Sequence, residues 1–216
     1  MRPLDTIKMF LRIIVACLPL ISLQVVALDD SEIESIKSTL REIRDTDQET
    51  RLIISEKSKT LKPDDPELKA LWAKQNEIDA ENQKTISEIL ENYGWPNKDE
   101  FGSFGPAEVI FLVIQHADLN HQKQYFEMVE QAVRAGDLKA DSFALLQDRI
   151  LVREGKEQIY GSQLQRDQVT GAISFYPIDD EENVDKRRLE IGLEPIAEYA
   201  KHFGINYRGP VTKQPE

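Results

Sequence analysis

The sequence predicts a mainly α-helical protein: an N-terminal antiparallel helical hairpin, then a compact helical domain carrying a small β-hairpin. Three observations carry this. Apolar residues recur at helical spacing through the first third after residue 30. Helix-start and helix-stop residues punctuate the rest, with Pro66, Pro106 and Pro195 at starts and Gly136, Gly155 and Gly192 at stops. Only two stretches, "EQIYGSQL" (157–164) and "GAISFYP" (171–177), have the look of short strands joined through "QRDQVT".

The elements follow in order. Ile33, Ile36, Leu40 and Ile43 are spaced three, four and three apart, one face of a helix. Asp47, Thr50 and Lys57 occupy later positions of the same register, so the stripe weakens. Asp65 is placed to cap a second helix whose first residue, Pro66, has no N–H to satisfy. Leu68, Leu71, Trp72, Ile78, Ile86, Ile89 and Leu90 run along it. The two helices read as a coiled-coil-like packing arm over residues 28–93. Gly94 and Pro96 end it and open a second unit, 94–204.

Gly105-Pro106 starts a helix whose Val109 to Ile114 are all apolar, the expected core element, with Gln115 and His116 in its last turn. A helix bearing Tyr125, Phe126, Val129, Ala132 and Val133 follows and stops at Gly136. The next is expected over 141–154, capped by Asp141. "IDDEENVDKRRLEIG" and "EPIAEYAKHFG" read as two last helices, and 205–216 as a mobile tail.

Residues 1–27 stand apart. Arg2, Lys8 and Arg12 precede the apolar "IIVACLPLISLQVVA", and Val25 and Ala27 are small residues at a cleavage position. This is the pattern of a secretory signal peptide. The apolar stretch is shorter than the roughly 20 residues of a span, although retention as a membrane anchor is the alternative. "IVAC" resembles a lipoprotein box, but only Ile13 separates it from Arg12 and the apolar run continues past Cys17. Cys17 is the one cysteine, so a processed chain has no thiol for catalysis, disulfides or metal binding. The expectation is an exported protein, in the periplasm or outside the cell.

Hydrophobic residues make up 40% and charged residues 31%, a soluble globular balance. The formal net charge of −12 repels phosphate backbones and anionic lipid. Neither nucleic acid nor, after signal cleavage, membrane is an expected partner; a small ligand or another protein is. No phosphate-cradling glycine loop occurs, "YGSQ" lacks the flanks of a serine nucleophile elbow, and no cofactor is indicated.

Two of the three histidines sit in "LVIQHADLNHQ" (112–122). His116 and His121 are five apart, about 140° round a helix, so they share no face and no zinc pattern is present. His116 suits either a helix C-terminus, where the dipole favours positive charge, or a general acid–base role assisted by Asp118. Asp118 or Asn120 equally suits capping of the next helix.

Asp148 and Arg149 lie against apolar neighbours on their helix, and Arg188 lies on an apolar stripe between Val184 and Ile191. A buried charge requires a partner, so Asp148 is expected to pair with Arg188 or Arg187. As a strand, 158–163 would put Gln158, Tyr160 and Ser162 on one face and Gly161 and Gln163 on the other. Tyr160 reads by default as core filler with a bonded hydroxyl. A pocket formed by His116, Asp148, Tyr160, Gln163 and Arg188 is the leading functional expectation.

The ordered set "GWP" (94–96), "QHAD" (115–118), "DRILVREGKEQIYGSQ" (148–163) and "YPIDDEENVDKRRLEIGLEPIAEY" (176–199) resembles a family of bacterial proteins of unknown function. The resemblance covers about 95–200; Ser162 stands where the family often has threonine. It implies that Gln115, Arg149, Gln158, Asp185 and Arg187 belong with the other polar residues to the family's pattern. It implies no activity. The resulting readings are a small polar or anionic ligand pocket, an acid–base enzyme using His116, or an interaction module acting through the hairpin.

Overall fold

The computed structural model describes residues 28–102, 105–167 and 169–209. The stretch read as a signal peptide, 1–27, and the end of the tail, 210–216, lie outside the described residues. The fold is mainly helical with one two-stranded antiparallel sheet. No helix among the described residues is long and apolar enough to cross a membrane.

Helices α1 (Asp30–Lys57) and α2 (Pro66–Tyr93) form the hairpin, each about 42 Å long. Asp29 caps α1 in a capping box: its carboxylate takes the Ser31 and Glu32 N–H groups while Glu32 reaches back to the Asp29 N–H. Asp65 caps α2 through the Glu67 N–H, with Pro66 at the first position, as the sequence indicates. Gly94, at φ +74°, stops α2. The α1 stripe of Ile36, Leu40 and Ile43 does not fade; it continues buried as Asp47, Thr50 and Ile54.

After the single turn α3 (Lys98–Phe101), helix α4 (Pro106–His116) runs through the middle, burying Val109, Ile110, Phe111, Val113 and Ile114. It packs against α1, α2, α5 (Leu119–Ala135) and α6 (Ala140–Arg153). One apolar core takes Leu40 and Ile43 from α1, Ile86 and Leu90 from α2, and Val129 and Leu146 from α5 and α6.

Three local expectations are corrected. The cap of α6 is Lys139, not Asp141: Lys139 has extended backbone, Ala140 is the first helical residue, and Asp141 sits in the first turn. There its charge still favours the helix N-terminus. The strands are shorter and the first is displaced, β1 at Leu164–Arg166 and β2 at Ile173–Phe175, with Gln165 opposite Ser174. Residues 158–163 are therefore not a strand, and the alternation of faces expected there does not exist. The last long helix is a 3₁₀ turn, Glu181–Asn183, followed by α7 (Val184–Glu190), because Asp180 takes a left-handed conformation at φ +44° and breaks the chain direction. Helix α8 (Ile196–Lys201) follows. In the tail segment, Tyr207 lies edge-on to Phe175 and donates to Glu181.

Gly161 is required where it stands. Its φ is +70°, and an added Cβ would lie 2.5 Å from Ile196 Cδ1 and 3.0 Å from Ile178 Cδ1. Gly161→Ala should cost about 1–3 kcal/mol, from the left-handed backbone and the clash together. A urea titration measures this, and a loss within error of zero would contradict the tight approach.

Candidate functional site: two polar clusters joined by Arg149

The segment 158–163 is shaped by Asp148. This side chain, fully buried on α6, accepts from the N–H groups of Ile159 (2.7 Å), Tyr160 (3.0 Å) and Ser162 (2.9 Å). Backbone donors that a strand would direct sideways converge on one carboxylate. The loop closes on itself through Gln158, also fully buried. The Gln158 amide donates to the carbonyls of Gln163 and Tyr176 and accepts from the Gln163 N–H.

Arg188 and Arg187 hold the same loop from the other side. Arg188 is 2% exposed and donates to the carbonyls of Glu194 (2.6 Å) and Tyr160 (2.7 Å). Its guanidinium lies 4.9 Å from the centre of the Tyr199 ring. Arg187 donates to the Ile159, Asp180 and Asp179 carbonyls and pairs with the Asp180 carboxylate at 3.5 Å. The expected ion pair between Asp148 and either arginine is therefore not formed. Charge compensation passes through the loop instead: peptide N–H groups point at Asp148 and peptide carbonyls at the arginines. Burial pushes the Arg188 pKa down, opposed by the charges of Asp185, Glu194 and Asp148.

The remaining predicted residues have distinct places. Asp185 accepts from the Ile196 N–H at the start of α8. Tyr160 packs edge-on against Phe143, and burial raises its pKa. Asp118 caps α5 through the His121 N–H, the capping alternative of the two. Gln163 donates to the Leu145 carbonyl and accepts from Arg149 at 3.3 Å. Arg149 also donates to the Gln115 carbonyl at 2.7 Å, where the buried Gln122 amide donates as well. Arg149 thus ties the loop to the end of α4.

His116 does not join the Asp148 and Arg188 group, so the single pocket expected from the sequence is not assembled. Its ring turns to the hairpin, with Nδ1 3.7 Å from Asp47 Oδ1. At that distance the two are electrostatic neighbours, short of a hydrogen bond. Asp47 is 1% exposed and accepts from Arg51, Gln48 and Gln75. Arg51 and Gln75 both also donate to Asp79. Burial raises the Asp47 pKa, but His116, Arg51 and Gln48 outweigh it and the net shift is downward. Gln75 Oε1 and His116 Nδ1, both on residues beside Asp47, are buried without a hydrogen-bond partner.

This second cluster was missed in the sequence, although a signal existed. Asp47 and Thr50 fall on the buried register of α1, and polar residues on a core-facing stripe require partners. No group of three or more metal-ligating side chains occurs among the described residues.

The model of a protein family described as Family of unknown function (DUF6624) matches residues 35–210, and the chain belongs to that family. No curated protein and no solved structure matches the chain.

Proposed function

We propose that this member of the family is an exported binding protein for a small carboxylate-bearing ligand, taken up in the cleft beside Arg188. The observation that carries the reading is the state of Arg188. It is a buried cation whose protein partners are carbonyl oxygens, with no carboxylate in ion-pair distance among the described residues. A buried guanidinium held by neutral carbonyl oxygens keeps its formal positive charge, and an anion is its natural complement.

Arg188 lines a cleft of about 320 Å³ together with Ala144, Leu145, Ser162, Leu193 and Tyr199. That volume suits a small metabolite. Leu145, Leu193 and the Tyr199 ring offer apolar contact. Asp141 and Glu194 also border the cleft, and the Glu194 carboxylate is turned to His202 at 3.0 Å. Their charges select for a single negative group and against polyanions. Export rests on the basic, apolar and small-residue order of residues 1–27.

The test is a thermal-shift and calorimetry panel of mono-, di- and tricarboxylates and inorganic phosphate on the processed chain. A monocarboxylate should raise the melting temperature, and Leu145→Trp, which fills the cleft, should abolish that rise while leaving the circular dichroism unchanged. Absence of a shift with every carboxylate would refute the reading.

A further inference from the structure

Asp47 occupies a position on α1 where the stripe calls for an apolar residue, and its oxygens face inward to Arg51, Gln48, Gln75 and His116. The His116 ring flanks this carboxylate. Nδ1 is enclosed and turned to Asp47, with no hydrogen-bond partner. The side chain is 21% exposed, and Nε2 is neither enclosed nor bonded. His121 is different: its Nε2 lies 3.0 Å from Ser87 Oγ and is committed.

An imidazole with one nitrogen facing a buried carboxylate and the other facing solvent has a biased tautomer. The carboxylate favours the proton on Nδ1, leaving Nε2 as the proton acceptor. The 3.7 Å separation is within the range by which such contacts are loose before substrate is bound. The surroundings are cationic on a chain of net charge −12. Arg149 bonds the carbonyl of Gln115, the residue before His116, and Arg153 bonds the carbonyl of Ala117, the residue after. Neither is in ion-pair distance of a carboxylate among the described residues, and burial, then Arg153 and Arg51, depress the Arg149 pKa.

We propose that His116 and Asp47 form an acid–base pair acting on a small anionic substrate. Nε2 takes the proton of an attacking water or substrate hydroxyl as its oxygen bonds to the reacting centre, and the bond from that centre to the leaving oxygen breaks with its electron pair going to that oxygen. Asp47 balances the imidazolium, and Nε2–H returns the proton to the leaving oxygen. Arg149 and Arg153 meet the substrate's negative charge. His116 is the catalytic residue and Asp47 the positioning residue. The site stands apart from the Arg188 cleft and does not rest on ligand binding there.

The test combines nitrogen-15 NMR of the histidine rings with mass-spectrometric rates of carbethoxylation by diethyl pyrocarbonate, both on the processed chain at pH 8. His116 should carry its proton on Nδ1 and react at Nε2 at least tenfold faster than His121. Inorganic phosphate should protect His116 and leave the His202 rate unchanged. Asp47→Asn should shift the His116 tautomer and slow its reaction several-fold without altering the His121 rate. A wild-type His116 protonated on Nε2, a rate no faster than that of His121, or no protection by phosphate would overturn the proposal. These three readings need no variant, so an Asp47→Asn protein that fails to fold leaves the test intact.

Discussion

Replacing Asp148 with alanine should destabilise the protein by about 3–5 kcal/mol, the range for stripping a buried charge from its partners. The carboxylate is the acceptor for three main-chain N–H groups, from Ile159, Tyr160 and Ser162. Ile159 and Tyr160 are half-buried and Ser162 is buried, so water cannot replace that acceptor without opening the loop. Each orphaned donor costs about 1–3 kcal/mol. The loop also supplies the Tyr160 carbonyl to Arg188 and the Ile159 carbonyl to Arg187, so its release uncouples α7 from α6. Equilibrium urea unfolding measures the loss. Asp148→Asn keeps one acceptor oxygen but turns an NH2 group toward N–H donors, and should recover only part of it. A loss under about 1 kcal/mol for the alanine variant would mean that the loop keeps its shape without the carboxylate.

Ile86→Ala should lower stability by about 2–5 kcal/mol, and it reports on how the molecule is divided. Ile86 is fully buried on α2 and belongs to the same apolar cluster as Ile110 and Ile114 of α4 and Leu146 of α6. If hairpin and remainder share that core, the variant shifts one cooperative transition without splitting it. The two tryptophans supply the probes: Trp72 on the hairpin is 45% exposed, and Trp95 packs against the core just past it. Trp72→Phe and Trp95→Phe proteins, each reporting through the tryptophan left, should give coincident urea midpoints. A separate, earlier transition seen by Trp72 alone would show that residues 28–93 unfold as an independent arm.

The helices were legible because their signals are local. Pro66 after Asp65, Gly94 and Gly136 mark boundaries through their own backbone preferences, and the α4 apolar run can only be an interior element. The Asp141 cap and the strand at 158–163 were misread because neighbouring groups override local preference. Lys139 turns the chain two residues earlier, and a carboxylate on another helix takes the N–H groups that a strand would have used. Gln158 shows the same limit: nothing in "EQIYGSQ" announces that its amide holds two carbonyls and an N–H across the loop.

The sequence by itself determined that three charged side chains could not be left to water. Asp148, Arg149 and Arg188 stand among apolar neighbours at helical spacing, and burial of charge is a property that period and composition reveal. Only the tertiary structure decided their partners. Asp148 and Arg188 meet through the peptide groups of one loop and not face to face, and His116 turns to Asp47, 69 positions earlier in the chain. Periodicity fixes which face of a helix is interior, but a partner is chosen by how helices cross. The crossing is set by the whole apolar core at once, so no local stretch of sequence contains it.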